Sequence, residues 1–459
     1  MDPVQRMIYK FAPKWRPVVP LCAGFFIMLT VGSLTTAGNM APYVLSYMRQ
    51  TSAPWVTVKS FTWLVALEQG IPLSMFLGGL LERRFGPRPT ALFGTSLFCI
   101  GAAATRWTVG YSYTMFLLTY GFLFGLGAMI AYNAALVCGV KWMPQNAGLA
   151  SGIVVTGFGL SAMVFNPVQT MSINPWNYSP GLDGYFTQEG LLARVPAVFI
   201  ILACCYFVIN VLAIVALASP KKGELSGPSE STPLLEKEVE LPTLQTEEDA
   251  PPSVDTSTAL KSSTFGWLAV TCICNIVFGI FLANYWKTFG QTFIRGDFFF
   301  SAVGVVSSIS NCLGRPFWGY LADRTSYQTA SVVVFLWGAA LCFSAPFIKP
   351  FGKVPYFVWI ILCNFCACSS FSLIPLATTK CFGQKHFGVI YGCLFAFSQL
   401  GCFGFAAVSE FAFQAIGYKG LWFLTGALLV VALLLSATIR FTTYGRGVGS
   451  APKYKKLDY

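Results

Sequence analysis

Apolar residues in this chain are gathered into long runs that no set of small soluble cores could bury. Twelve such runs stand out, near 17–39, 56–81, 89–107, 112–137, 147–171, 194–218, 264–286, 298–321, 327–347, 354–379, 387–412 and 418–440. A run of about 20 apolar residues crosses the roughly 30 Å hydrocarbon core of a bilayer as a helix. The pattern therefore predicts an all-α polytopic membrane protein with 12 transmembrane helices. Trp55, Trp107, Trp142, Trp286 and Trp422 fall near predicted helix ends, where amphipathic rings settle at the membrane interface. The first run follows Arg6, Lys10, Lys14 and Arg16. It is longer than a signal-peptide core and lacks a clear A-x-A site, so it counts as a span.

One stretch departs from this pattern. Residues 219–262 hold nine of the 18 acids, four bases and six prolines. Such a composition buries too little apolar surface to fold alone, and it predicts a disordered acidic linker. The expected organisation is an N-terminal tail over 1–16, a six-helix bundle over 17–218, the linker, a second bundle over 263–440 and a basic tail over 441–459. Of the 30 Lys and Arg, 20 fall in segments that share one face if both termini are cytoplasmic, nine fall on the opposite face, and Arg315 alone lies well inside a run, away from its ends. That asymmetry predicts cytoplasmic termini. Outside the linker the net charge is +17, mostly on the inner face, where anionic lipid would attract it. Asn177-Tyr178-Ser179 is a glycosylation sequon in a non-cytoplasmic loop, with Pro180 directly after it.

Composition excludes several functions. Charged residues make up 10% of the 459, against roughly 25% in soluble domains. A single histidine, His386, rules out chemistry that needs two. No G-x-x-x-x-G-K-[ST] loop occurs, since Gly352-Lys353 is followed by Val354, so ATP-driven pumping is not expected. Cys363, Cys366 and Cys368 lie within one apolar run and read as buried helix thiols, not metal ligands. No enzyme activity, cofactor, metal or nucleic-acid partner is expected.

The two halves repeat. Gly79 and Arg83-Arg84 after the second run align with Gly319 and Asp323-Arg324 after the eighth, and Gly148 and Gly152 align with Gly388 and Gly392, all at an offset of 240 residues. Parallel six-helix halves with substrate held between them near the midplane are one transporter architecture. Small faces, as at Gly121, Gly125 and Gly127, let such helices approach closely. On these residues the chain resembles the major facilitator superfamily. The family's loop reads Gly-x-x-x-Asp-Arg-x-Gly-Arg-Arg and implies a gating latch. The second copy matches at Gly319, Asp323 and Arg324. The first runs Gly79, Glu82, Arg83, Arg84, Gly86 and Arg88, with Arg83 in the acid's place and Glu82 beside it. Asn39-Met-Ala-Pro42-Tyr43, Arg84-Phe-Gly-Pro-Arg88, Trp142-Met-Pro144 and Arg315-Pro316-x-x-Gly319 resemble the branch of monocarboxylate transporters and oxalate–formate antiporters.

A charge inside a span costs about 2.5–3.5 kcal/mol or more, which makes each one a functional candidate. Arg315 lies about 13 Å from the inner end of its helix, and its planar fork suits a carboxylate. By itself it is either a substrate ligand or a structural residue paired with helix groups, and the resemblance implies the first. Glu68, followed by Gln69, is a candidate for proton coupling or for a buried structural hydrogen bond. By the repeat, Arg315 lies about 10 Å further inward than Glu68. Glu410 reads as reaching interfacial water. Asn311 stands where animal monocarboxylate transporters carry an acid, residues 17–38 lack their lysine, and Leu394 stands where the antiporters add one after a tyrosine matching Tyr391. One fixed positive charge favours a monoanion over a dicarboxylate.

Tyr120, Asn133, Asn284, Tyr285, Asn364 and Gln399 are uncharged polar groups on expected cavity helices, able to orient a small polar substrate or to join helices. Glu230 through Leu234-Leu235 fits an acidic dileucine sorting signal, and Tyr454 through Leu457 a tyrosine-based one. Sorting adaptors could read either, giving a plasma-membrane or endolysosomal address. The sequence thus predicts secondary-active transport of a small carboxylate, coupled to protons or a counter-anion. A neutral amino-acid carrier and a non-transporting sensor or accessory protein on the same fold are the alternatives.

Overall fold

The computed structural model describes residues 3–12, 15–56, 63–64, 67–68, 72–178, 185–220, 254–294 and 297–448; for Asn284 and Glu410 it describes the backbone alone. Within these residues the chain is helical and carries no strand. The N-terminal half contributes α1 (Val18–Thr51), α2 (Pro72–Phe85), α3 (Pro87–Thr108), α4 (Tyr113–Trp142), α5 (Ala147–Ile173) and α6 (Val195–Ala216). The C-terminal half contributes α7 (Ser263–Gln291), α8 (Asp297–Arg324), α9 (Tyr327–Ser344) and α10 (Lys353–Phe382). A last helical run, Phe387–Thr438, breaks at Gly417 (φ 60°, ψ −168°) into α11 (387–416) and α12 (418–438).

Local chemistry sets the boundaries. Gly86, at φ 87°, turns the chain between α2 and α3, and Pro87 opens α3, a first-turn position that needs no N–H. Ser262 and Ser326 cap α7 and α9 by accepting the amides of Phe265 and Thr329. Nine helical stretches among the described residues are long and apolar enough to cross a membrane. Helix α8 is not among them, because Ser307, Ser308, Ser310, Asn311 and Arg315 make its middle too polar.

Two expectations change. The first span continues beyond residue 39 as one 34-residue helix. A 3₁₀ turn at Gly32–Thr36 carries it through, with the hydroxyls of Thr35 and Thr36 bonded back to Gly32 and Ser33 carbonyls. Asn39 and Pro42 therefore lie inside α1. At the end of the predicted linker, Val254–Ser262 is ordered. Asp255 caps a one-turn helix, Thr256–Leu260, and the Val254 amide donates to the Phe382 carbonyl. Val254 and Ala259 are buried apolar anchors, which the composition of the whole stretch concealed.

The halves meet along two helix pairs related by the 240-residue offset, α5 with α8 and α2 with α11. Gly148 lies against Gly319 and Gly388 against Gly79; Gly152 lies against Pro316 and Gly392 against Phe76. A Cβ on any of these glycines except Gly388 would overlap the facing backbone. The repeat has become a pseudo-twofold clasp at the end that carries the basic loop motifs, here called the basic end.

Candidate functional site: a buried arginine between the halves

Arg315 projects from α8 toward α5 and α10, and only 4% of it is exposed. Its Nη1 donates to the Val155 carbonyl at 2.7 Å, and Nε and Nη2 donate to Asn311 Oδ1 at 3.2 and 3.0 Å. The guanidinium lies 4.6 Å from the Phe371 ring centre and 5.9 Å from that of Phe158. Such cation–π contacts are worth about 2 kcal/mol when desolvated. Among the described residues no carboxylate pairs with it. A guanidinium has five N–H donors, so two remain, one on each terminal nitrogen, where a carboxylate can bind both.

The neighbourhood explains the placement. Helix α10 is interrupted between Ala367 and Ser370, which brings Phe371 and Ser372 up to α8. Ser372 donates to the Arg315 carbonyl at 2.6 Å, and Trp318 donates to the freed Phe365 carbonyl. Gly152 and Gly159 of α5 let the arginine pass at close range. Tyr132 of α4 and Tyr391 of α11 lie within electrostatic reach of Arg315. The buried Tyr132 hydroxyl has Tyr391 as a polar neighbour, and its ring contacts Phe158 and Phe395. At the offset of 240 the counterpart of Arg315 is Met75, so the cation belongs to one half only.

Glu68 is elsewhere. It is 1% exposed, both carboxyl oxygens lack partners, and the neutral phenols of Tyr120 and Tyr206 lie within its electrostatic reach inside the N-terminal half. No contact joins it to Arg315, and Gly125 packs on its backbone. Tyr120 stacks between Phe116 and Phe124. Asn133 donates to the carbonyls of Met75 and Gly388, at 2.9 and 3.0 Å, and so ties α4 to the clasp. The backbone carbonyl of Asn364 accepts from Asn311 at 3.4 Å, while its own amide turns back to Ile360. Tyr285 packs on Phe281, and Gln399 is buried in α11. Gln69, the side chain of Asn284, and the motifs at Glu230, Leu234, Leu235, Tyr454 and Leu457 lie outside the described residues. Asn177 is exposed at φ 55°, in a loop pinned by Asn174.

The loop motifs differ between halves. Asp323 accepts the amides of Gly148 (3.2 Å) and Leu149 (2.7 Å), closing the N-terminus of α5, where a carboxylate also meets the helix dipole. Glu82 does not do this for α11. It is buried against Lys141 of α4, on its own half, at 2.6 Å. Arg83 and Arg84 are exposed, Arg88 donates to the Leu217 and Val215 carbonyls at the end of α6, and Arg324 lies 5.2 Å from the Tyr320 ring.

The model of the Major Facilitator Superfamily matches residues 21–401. The chain belongs to that family. Its relatives include apicoplast pyruvate carrier 1 of Toxoplasma gondii, 28% identical over 90% of this chain and 86% of that carrier. The oxalate:formate antiporter of Oxalobacter formigenes is 24% identical over 70% of this chain and 67% of its own length. Among solved structures, the E. coli transporter FucP in its outward conformation superposes with a TM-score of 0.67 at 17% identity, covering 92% of this chain and 98% of FucP. The 12-helix, two-bundle fold is that of the family, and the chain is a multi-pass membrane transporter.

Proposed function

We propose that this transporter carries a small organic monoanion by alternating access, with Arg315 as the ligand for its carboxylate. The observation that carries this reading is a buried guanidinium with two free donors and no acid beside it. Leaving such a charge uncompensated costs several kcal/mol, and a bound carboxylate removes that cost. The pyruvate carrier and the oxalate:formate antiporter among its relatives support a small carboxylate as cargo. Among the described residues, a single cation suits one negative charge, and no acid near it would accept an amino acid's ammonium group. Protons or a second anion complete the cycle, and Glu68 is the candidate proton carrier.

The test is uptake into proteoliposomes, comparing the native protein with Arg315→Gln, using labelled lactate, pyruvate, formate, oxalate and leucine with and without a pH gradient. Monocarboxylate uptake that Arg315→Gln reduces to background is the expected result. Uptake of leucine alone, or uptake indifferent to the substitution, would sink the reading. Glu68→Gln is expected to abolish the response to the gradient while preserving exchange of substrate for substrate. An unchanged response would remove Glu68 from the mechanism.

A further inference from the structure

The pseudo-twofold arrangement leaves one place at the basic end incomplete. In one copy, Asp323 stands one turn beyond Gly319 and binds the second and third amides of α5. In the other copy every element has its counterpart except the acid. Gly79 lies against Gly388 as Gly319 lies against Gly148. His386 caps α11 in the position Asn146 holds at α5, and Gly388 and Val389 supply the second and third amides. One turn beyond Gly79, where the symmetry calls for a carboxylate, stands the exposed guanidinium of Arg83.

The groups around this place are short of an anion. The Gly388 amide has no hydrogen-bond partner, and that of Val389 reaches only the His386 carbonyl. His386 is 5% exposed, and its Nδ1 makes no hydrogen bond. His386 is the residue that precedes the first turn of α11, and its side chain makes no cap hydrogen bond. Its Nε2 lies 4.0 Å from Asp255, the acid at the docked end of the linker. Arg83 and Lys385 both lie within electrostatic reach of the ring. Burial, and after it Arg83, hold His386 below the ordinary histidine range, so at neutral pH Arg83 supplies the positive charge.

We propose that an oxyanion from the surroundings, a carboxylate or a phosphate, binds between Arg83 and the N-terminus of α11 and fastens α2 to α11 as Asp323 fastens α8 to α5. The site is separate from Arg315 and does not depend on the transported substrate. A helix N-terminus favours such a ligand through its free amides and its dipole. Occupancy would favour the state in which the basic end is closed.

The experiment measures the thermal unfolding midpoint of the full chain in lipid nanodiscs at constant ionic strength. In one arm inorganic phosphate replaces chloride in phosphatidylcholine discs. In the other arm the discs carry phosphatidylserine or a phosphoinositide and the buffer is free of phosphate. The midpoint is expected to rise saturably, on the order of 2 °C, in whichever arm holds the source. Arg83→Ala is expected to remove that rise. Arg83→Asp supplies the carboxylate within the chain, so it is expected to raise the midpoint without added anion and to respond no further. The proposal is overturned by no rise in either arm, by a rise that Arg83→Ala leaves intact, or by an Arg83→Asp protein that is no more stable than native. A rise abolished by Arg315→Gln instead would assign the anion to the central arginine and equally overturn it.

Discussion

Tyr132 is the residue whose chemistry is least explained by packing. Its hydroxyl is buried beside Tyr391 and within reach of Arg315, so with a carboxylate bound at Arg315 it would be placed to read an adjacent oxygen. A neutral hydrogen bond is worth about 0.5–1.5 kcal/mol. Tyr132→Phe is therefore expected to raise KM for pyruvate and lactate about three- to tenfold and to leave formate unchanged. Concentration-dependent uptake of the three decides it, and an equal shift in all of them would assign the hydroxyl a structural role. Arg315 was legible in the sequence because a charge in an apolar run stands out. Tyr132, Phe158 and Phe371 were not, since aromatic residues abound in such runs and nothing local marks which way a ring points. Glu68 was legible as a buried acid, but its neighbours Tyr120 and Tyr206 are set by packing inside one half.

At the scale of elements, paired glycines bring α5 to α8 and α2 to α11. A side chain on Gly319 would run into the backbone of Gly148, and interfaces this close have no room to yield. Gly319→Val is expected to hold the basic end apart. Transport should fall to background while circular dichroism still reports a helical protein; native uptake rates would show that the contact is dispensable. The spacing of the glycines was readable because it repeats at one offset. The destination of Glu82 was not, because its partner Lys141 lies 59 residues away on another helix. Breaking that pair leaves a buried carboxylate unpaired. The cost reaches about 3–5 kcal/mol for a fully buried pair and less here, since Lys141 is 23% exposed. Lys141→Met should lower the thermal midpoint, whereas Glu82→Gln with Lys141→Met should recover most of the loss.

For the whole molecule, the repeat gives two similar halves and the differences between them give direction. His386 has a counterpart in Asn146, so one half alone titrates near neutrality. Its lowered value means that the folded protein binds the proton less readily than the unfolded chain. That stability is present above the ordinary histidine value and is lost as pH falls below it through the folded value. His386 accordingly takes stability away between about pH 7 and pH 5, while Asp323, whose carboxyl burial raises to about 6, adds it over the same range. The native midpoint is therefore expected to lose more on acidification from about pH 7 to pH 5 than that of His386→Gln, and parallel profiles would place the sensitivity elsewhere. The fold as a whole was legible, since long apolar runs and one repeat offset specify twelve helices in two bundles. The docked end of the linker escaped notice because a short ordered segment is diluted in a long acidic one.

The pairing of Arg315 with Met75 also bears on electrical behaviour. In a carrier that binds a monoanion at Arg315, the loaded site crosses the membrane as a neutral pair. The empty site crosses with its guanidinium held only by dipoles and rings. A full elementary charge moved through 100 mV is worth about 2.3 kcal/mol. Membrane voltage would then act on the return of an empty carrier whose Glu68 is still protonated, and on neither crossing once Glu68 has released its proton and its carboxylate offsets the guanidinium.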